Sequence, residues 1–441
     1  MKKIFILLMI SVSLTIFANG QKEETKSVPS EPIEIQFWHA FSDDARSGWI
    51  NDMAAEWNAS QTEYKVVPEN KGSYREALQA FVLASRQGIA PHLVQLFEVG
   101  SQLALDSGIF TPIGEVGNID LNDYIEPVLN YYTFDGTVYS IPFNSSSPIL
   151  YTNRDMMIEA GLDPNDPPET FEDIIKALEQ AKAAGVENAG LGFNLHGWFY
   201  EQWIAEQGEA IVNNGNGRDA RPTETLLTSN ASKNVLNFIK ELNDKGFYKF
   251  TGKFEDWSGS DAIFQESKTM FHITSTADLG NITNAIDGRF NMGTGRLPIP
   301  ASAKRNGVVI GGASVWLTKG HDIKEQEAAR DFILFMTNTQ NMMDWHKLTG
   351  YYPVRKSSVD QLEAEGWFEA APERTIAFTQ LLETIPNQAT AGGVMGTFTD
   401  TRTIVEQAIQ KVLNGESVDS SLEEAKKLAD LKLEEYNKNF K

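Results

Sequence analysis

The stretch Tyr139-Ser-Ile-Pro-Phe-Asn-Ser-Ser-Ser-Pro-Ile-Leu-Tyr-Thr-Asn153 decides how this chain is organised. Two short apolar runs flank a hydroxyl-rich break, with Pro142 and Pro148 bracketing Asn144, Ser145, Ser146 and Ser147. Proline has no N–H for a β-ladder, so it ends or edges a strand. Small hydroxyl residues leave backbone N–H groups approachable and add donors and acceptors of their own. A strand that breaks at polar groups and then resumes fits a crossing between two lobes. Alone it also fits an ordinary polar loop, so the neighbouring segments carry the decision.

Upstream, Ile33–Phe37 alternates like a strand, and Ser42–Ala59 carries helical spacing with Ile50, Met53, Ala54 and Trp57 on one face. Tyr64–Pro68, a helix over Ser73–Arg86 and a strand at His92–Phe97 repeat the alternation. Strands alternating with helices of this length imply an α/β fold with mainly parallel sheets. Ligands on such sheets bind at the carboxyl ends of strands, which singles out Trp38, His39, Lys71 to Tyr74, and Glu98. Downstream, helices are expected over Phe171–Ala184, Ser232–Lys245, Ile323–Met336, Asp400–Leu413 and Ser420–Tyr436. A strand is expected at Thr269–Ile273, a polar surface loop at Asn213–Pro222, and a second crossing around Gly307–Gly312.

Composition bounds the setting. Lys2, Lys3, the uncharged apolar run Ile4–Phe17 and Ala18-Asn19-Gly20 read as a secretion signal cleaved after Gly20, with a retained anchor helix as the alternative. The polar residues 21–32 read as a disordered lead-in. The remaining length exceeds a single-core domain, which implies two lobes. Cysteine is absent, which excludes disulfides, thiolate metal sites, a cysteine nucleophile and an acylated lipoprotein cysteine. The formal charge of −22 repels nucleic acid and anionic membrane surfaces. No His-Glu-x-x-His, Gly-x-Ser-x-Gly, P-loop or dinucleotide motif occurs, so no cofactor is implied. A glycosidase carboxylate pair stays open, because carboxylates are too many to exclude one by counting.

Seven separated segments resemble the glycerol-3-phosphate-binding branch of the solute-binding proteins that feed ABC importers, the family that includes maltose-binding protein. They are Phe37-Trp-His39, Lys71-Gly-Ser-Tyr74, Phe97-Glu-Val-Gly100, Pro142-Phe-Asn-Ser-Ser146, Ala160-Gly-Leu-Asp-Pro164, Ile310-Gly-Gly-Ala-Ser314 and Trp345-His-Lys-Leu-Thr-Gly-Tyr351. The resemblance implies a two-lobed fold with a hinged cleft, one lobe from residues 33–143 and 307–352 and the other from 144–306 and 353–441. It implies a monomer that carries a phosphorylated solute to membrane permease subunits, outside the cytoplasm and without catalysis. It puts phosphate and glycerol contacts on Tyr74, Glu98, Ser146, Ser275, Gly312, Tyr351 and Arg402. Trp198 joins them as a ring beside the ligand. Leu195 stands where relatives often carry tryptophan, which implies a roomier pocket suited to a glycerophosphodiester, with Trp198 and Tyr352 facing a quaternary ammonium.

The residues can do this chemistry. Arg402 offers a planar fork of donors for a phosphate. Gly312 lets an anion approach its backbone N–H. Ser146, Ser275, Tyr74 and Tyr351 donate hydroxyls, although serines also cap turns and tyrosines also fill cores. Glu98 repels phosphate and instead accepts from glycerol hydroxyls or faces a cation. A sugar-binding protein, with tryptophans stacking on the rings, is the competing reading.

Overall fold

The computed structural model describes residues 31–440. The expected signal segment and residues 21–30 of the lead-in lie outside the described residues. The first lobe begins with strands β1 (Ile33–His39), β2 (Tyr64–Asn70), β3 (Leu93–Phe97) and β4 (Phe110–Thr111). A small hairpin follows, β5 (Thr133–Phe134) with β6 (Thr137–Val138), and then β7 (Ser140–Ser146). The chain next enters a second sheet through β8 (Pro148–Asn153), β9 (Leu191–Phe193), β10 (Tyr248–Lys249), β11 (Phe271–Ser275) and β12 (Met292–Gly295). It returns to the first sheet with β13 (Gly311–Thr318). The sheet orders are β2-β1-β3-β13-β4, with β7 also on β13, and β10-β9-β11-β8-β12.

The expectation of mainly parallel sheets needs refinement. β2-β1-β3 and β10-β9-β11 are parallel, as βαβ units require. β13 runs antiparallel to β3, β4 and β7, and β8 runs antiparallel to β11 and β12. Both sheets are therefore mixed. The antiparallel members flank the lobe crossings, where a strand enters from the other lobe instead of from a crossover helix.

The first crossing is one residue, Ser147, between two completely buried strands. Pro142 cannot donate to the ladder, and the β7–β13 register slips there, between Ala313 and Ser314. Residues 144–146 belong to the first sheet, so the crossing falls after Ser146 and not after Phe143. At the second crossing, Gln202 exchanges two hydrogen bonds with the Val309 backbone, at 2.9 and 3.0 Å. Glu206 accepts from Gly307 N and pairs with Arg305 at 3.1 Å. The third return lies later than Tyr352. Asp123 holds the following residues to the first lobe, accepting from the Ser357 backbone and hydroxyl. The helix Lys356–Ala364 still packs on the first-lobe helix Thr339–Thr349. Contact with the second sheet resumes at the turn Pro372–Arg374, where Thr294 of β12 donates to Glu373 O, and continues in the helix Thr375–Leu382, where Gln380 bonds to Pro148 O and Leu297 N.

Helices begin where polar caps stand. Asp43 accepts from Arg46 N to start Asp44–Ser60, and Ser73 and Glu76 form a capping box that starts Tyr74–Arg86. Residues 213–222 are not a free loop. Asn213–Asn216 is a kinked helical turn, and Arg218 and Arg221 tie the segment to Gly392 O and Asp106. Among the described residues no helix is long and apolar enough to cross a membrane.

Candidate functional site

A cavity of about 390 Å³ opens between the lobes, within the usual range for small-molecule sites. Eight of the nine candidate residues line it: Tyr74, Glu98, Ser146, Trp198, Ser275, Gly312, Tyr351 and Arg402. Leu195 does not. It is 1% exposed, its carbonyl accepts from Glu255 N, and it packs among core residues. The aromatic wall beside it comes from Trp198, Trp257 and His196, with ring centroids 5.2–5.9 Å apart. Tyr352 is also sealed, its hydroxyl bonded to Ser147 and to Ala377 O, so it faces no ligand. The Leu195 side chain therefore does not itself form the cavity wall.

The lining residues sit where strands end. Glu98 directly follows β3, Ser146 closes β7, and Ser275 closes β11 and accepts from Ala277 N at 3.1 Å. Gly312 has φ +102°, and a Cβ there would lie 1.8 Å from the Asn144 carbonyl oxygen, so only glycine fits. Tyr351 stacks on Trp345 at 5.5 Å, and Trp345 stacks on Phe143. A buried amide relay fixes Tyr74. Ala40 N donates to Gln95 Oε1, Gln95 Nε2 to Asn144 Oδ1, and Asn144 Nδ2 to the Tyr74 hydroxyl. Burial pushes both phenols up, Tyr74 well above its ordinary value, so each remains a neutral donor.

Arg402 is more committed than a phosphate ligand would be. Its Nε and Nη2 grip the two oxygens of Glu201 at 2.6 and 2.8 Å, and Nη2 also bonds to Glu98 across the lobes. Burial would lower its pKa, but the Glu201 and Glu98 charges outweigh that and raise it. Burial raises Glu201, with Arg402 opposing. Helix Phe398–Leu413, which carries Arg402, touches helix Gly197–Glu206 so closely that a Cβ on Gly197 would meet Arg402 Cγ at 2.9 Å.

Apart from Trp257, one of the tryptophans expected to stack on a sugar ring, several cleft residues gave no sequence signal. Arg46, Asp43 and Asp278 line one part of the cavity, and Arg75, Glu255, His196 and Trp257 another. Arg75 Nε bonds to Glu255 at 2.7 Å and Nη1 to Thr399 O at 3.1 Å. Burial pushes Glu406 up to about 7, with the Glu255 charge adding to it. Two His–carboxylate clusters, His196 with Glu255 and Glu406 and His92 with His321 and Glu325, invite a metal reading. Hydrogen bonding disfavours it. His196 Nδ1 accepts from Trp198 N, and His92 Nδ1 accepts from Gln36 N. The ring proton then sits on Nε2, the atom that faces the carboxylates, where a metal would need a lone pair.

Two α/β lobes, three chain crossings and a polar cleft at the strand ends define a hinged solute-binding protein. The chain belongs to the family described as bacterial extracellular solute-binding protein, whose sequence pattern matches residues 52–376. It is 30% identical over 436 residues to the sn-glycerol-3-phosphate-binding periplasmic protein UgpB of Escherichia coli O1:K1, covering 95% of each chain. It is 31% identical over 394 residues to the Yersinia enterocolitica protein of the same name, covering 87% of this chain and 88% of that one. In fold it is similar to Mycobacterium tuberculosis UgpB in complex with glycerophosphocholine, with TM-score 0.75, 22% identity, and 92% and 99% of the two chains covered. It is similar too to the cyclic α-maltosyl-1,6-maltose binding protein of Arthrobacter globiformis, with TM-score 0.73, 20% identity, and 91% and 99% covered.

Proposed function

We propose that this protein is the substrate-binding component of an ABC importer, that it captures glycerol 3-phosphate or a glycerophosphodiester in the interlobe cleft, and that it hands the ligand unchanged to permease subunits. It acts as a monomer outside the cytoplasm. The observation that carries the reading is the convergence of Tyr74, Ser146, Ser275, Gly312 and Tyr351 on one cavity that also holds the Arg402–Glu98 pair. The hydroxyls and the Gly312 N–H are neutral donors suited to a phosphoryl group. The Arg402–Glu98 pair has little net charge left for a phosphate. It offers a donor and an acceptor side by side, which suits a glycerol diol, and Arg402 moves from the phosphate role to that one. Each charge-assisted hydrogen bond contributes ~1.5–3 kcal/mol, enough together for micromolar binding.

A sugar ligand is the second reading, favoured by the Trp198–Trp257 wall on which a ring can stack. Calorimetric titration with glycerol 3-phosphate, glycerophosphocholine and maltose separates the two. Recovery of intact ligand is expected, and turnover would point to an enzyme. Binding of maltose alone would remove the phosphate reading.

A further inference from the structure

Three arginines line the cleft, and they differ in how far their charge is already committed. Arg402 is held by Glu201 and Glu98, with its side chain 3% exposed. Arg75 is held by Glu255. Arg46 is 24% exposed, and its terminal nitrogens reach only Tyr351 Oη and Asp278 Oδ1, both at 3.4 Å. That is well beyond the ~2.9–3.0 Å of an ordinary N–H···O bond. Its one close partner is Asp43, on Nε at 3.1 Å. The guanidinium nonetheless has aromatic neighbours, its carbon lying 5.5 Å from the centre of the Phe41 ring and 5.8 Å from that of Tyr351. Arg46 is thus charged and loosely paired, next to a phenol that burial keeps protonated.

Resting on the phosphorylated-glycerol reading above, the geometry points to Arg46 as the specificity-determining charge of this cleft. It meets the phosphoryl oxygens with its two terminal nitrogens, displaces its weak contact with Asp278, and favours phosphomonoesters over diesters. A monoester carries about −1.5 to −2 at pH 7, whereas a diester carries one charge and has two of its oxygens esterified. A planar fork therefore gains more from the monoester. Asp278 is the internal competitor. In its ionised form it holds the fork when no anion is present and repels an anion that arrives.

The test is calorimetry on the full mature protein with glycerol 3-phosphate and glycerophosphocholine, alongside Arg46→Ala, Arg46→Lys and Asp278→Asn, with thermal melts as folding controls. Arg46→Ala is expected to weaken glycerol 3-phosphate tenfold or more and glycerophosphocholine threefold or less. Arg46→Lys should recover part of the loss, and Asp278→Asn should tighten the monoester. Equal losses for both ligands would overturn the proposal. So would a wild-type preference for the diester. Weakening by Asp278→Asn in parallel with Arg46→Ala would also overturn it, because the pair would then be a strut between lobes. If the wild-type protein binds neither ligand, the phosphorylated-glycerol reading itself fails. If it binds glycerol 3-phosphate and Arg46→Ala changes nothing, only the role of Arg46 fails.

Discussion

Arg402 illustrates how a residue can be central to a site without supplying its free charge. The sequence favours an arginine whose loss weakens binding and spares the fold. The structure sets it between Glu98 and Glu201, all three buried. Removing one partner of a buried ion pair strands the others and costs about 3–5 kcal/mol. Arg402→Ala should therefore lower unfolding free energy by about that much in denaturant melts and also abolish ligand binding. An unchanged melting curve would mean the triad is more hydrated than its geometry implies. Leu195 makes the converse case. Its side chain is part of the core, so Leu195→Trp is an overpacking change expected to cost about 1–3 kcal/mol. It should not alter the ratio of monoester to diester affinity, and a shift towards the smaller ligand would restore Leu195 to the cavity wall.

Strand ends were the most legible elements, and helix-borne cleft residues the least. Glu98 directly follows an apolar strand, so the strand pattern places it, whereas Ser146 and Ser275 lie two or three residues beyond their apolar runs and were placed by the resemblance. Arg46 and Arg75 lie in first turns of helices, where nothing in local composition separates a cleft-facing residue from a solvated one. Leu195 lies behind the cavity wall, while His196 beside it lines the cavity. The third crossing was set too early because the pull of Asp123 on residues 355–357 spans the chain and leaves no local mark. Helix Phe398–Leu413 carries a pH prediction. Glu406 is raised to about 7 by burial, above the ordinary carboxylate range, so its neutral form is the one the fold prefers. That contribution is complete below the ordinary glutamate pKa and is lost as pH rises towards 7. Asp278, also raised to about 7 by burial, acts in the same direction. Glu406→Gln should therefore become progressively more stable relative to wild type between about pH 4.5 and 7. Urea melts across that range check it, and a stability difference that stays constant would contradict the assignment.

The whole molecule is a pair of lobes drawn together by ion pairs as well as by its crossings. Arg402 with Glu98 and Arg75 with Glu255 span the cleft where a ligand would sit, with the weak Arg46–Asp278 contact beside them. A fourth tie is absent from the cavity lining. Asp106, in the first-lobe helix Ser101–Ser107, accepts two bonds from Arg221 at 2.6 and 2.9 Å and one from the Tyr436 hydroxyl at 2.8 Å, both from the second lobe. Arg221 is about one-third exposed and Asp106 is nearly buried, so the pair is worth more than a surface bridge and less than a sealed one. Its energetic effect falls on the opening equilibrium, since opening separates the partners while each lobe keeps its own core. Asp106→Asn loses charge and a bidentate acceptor, which shifts the ligand-free protein towards the open arrangement. Affinity then drops by the fraction of closed molecules lost, equally for every ligand, because no ligand contact has changed. Small-angle scattering should show a larger ligand-free radius of gyration for Asp106→Asn than for wild type, with the two converging at saturation. Identical ligand-free dimensions, or an affinity loss that differs between glycerol 3-phosphate and glycerophosphocholine, would show that the tie does not control closure.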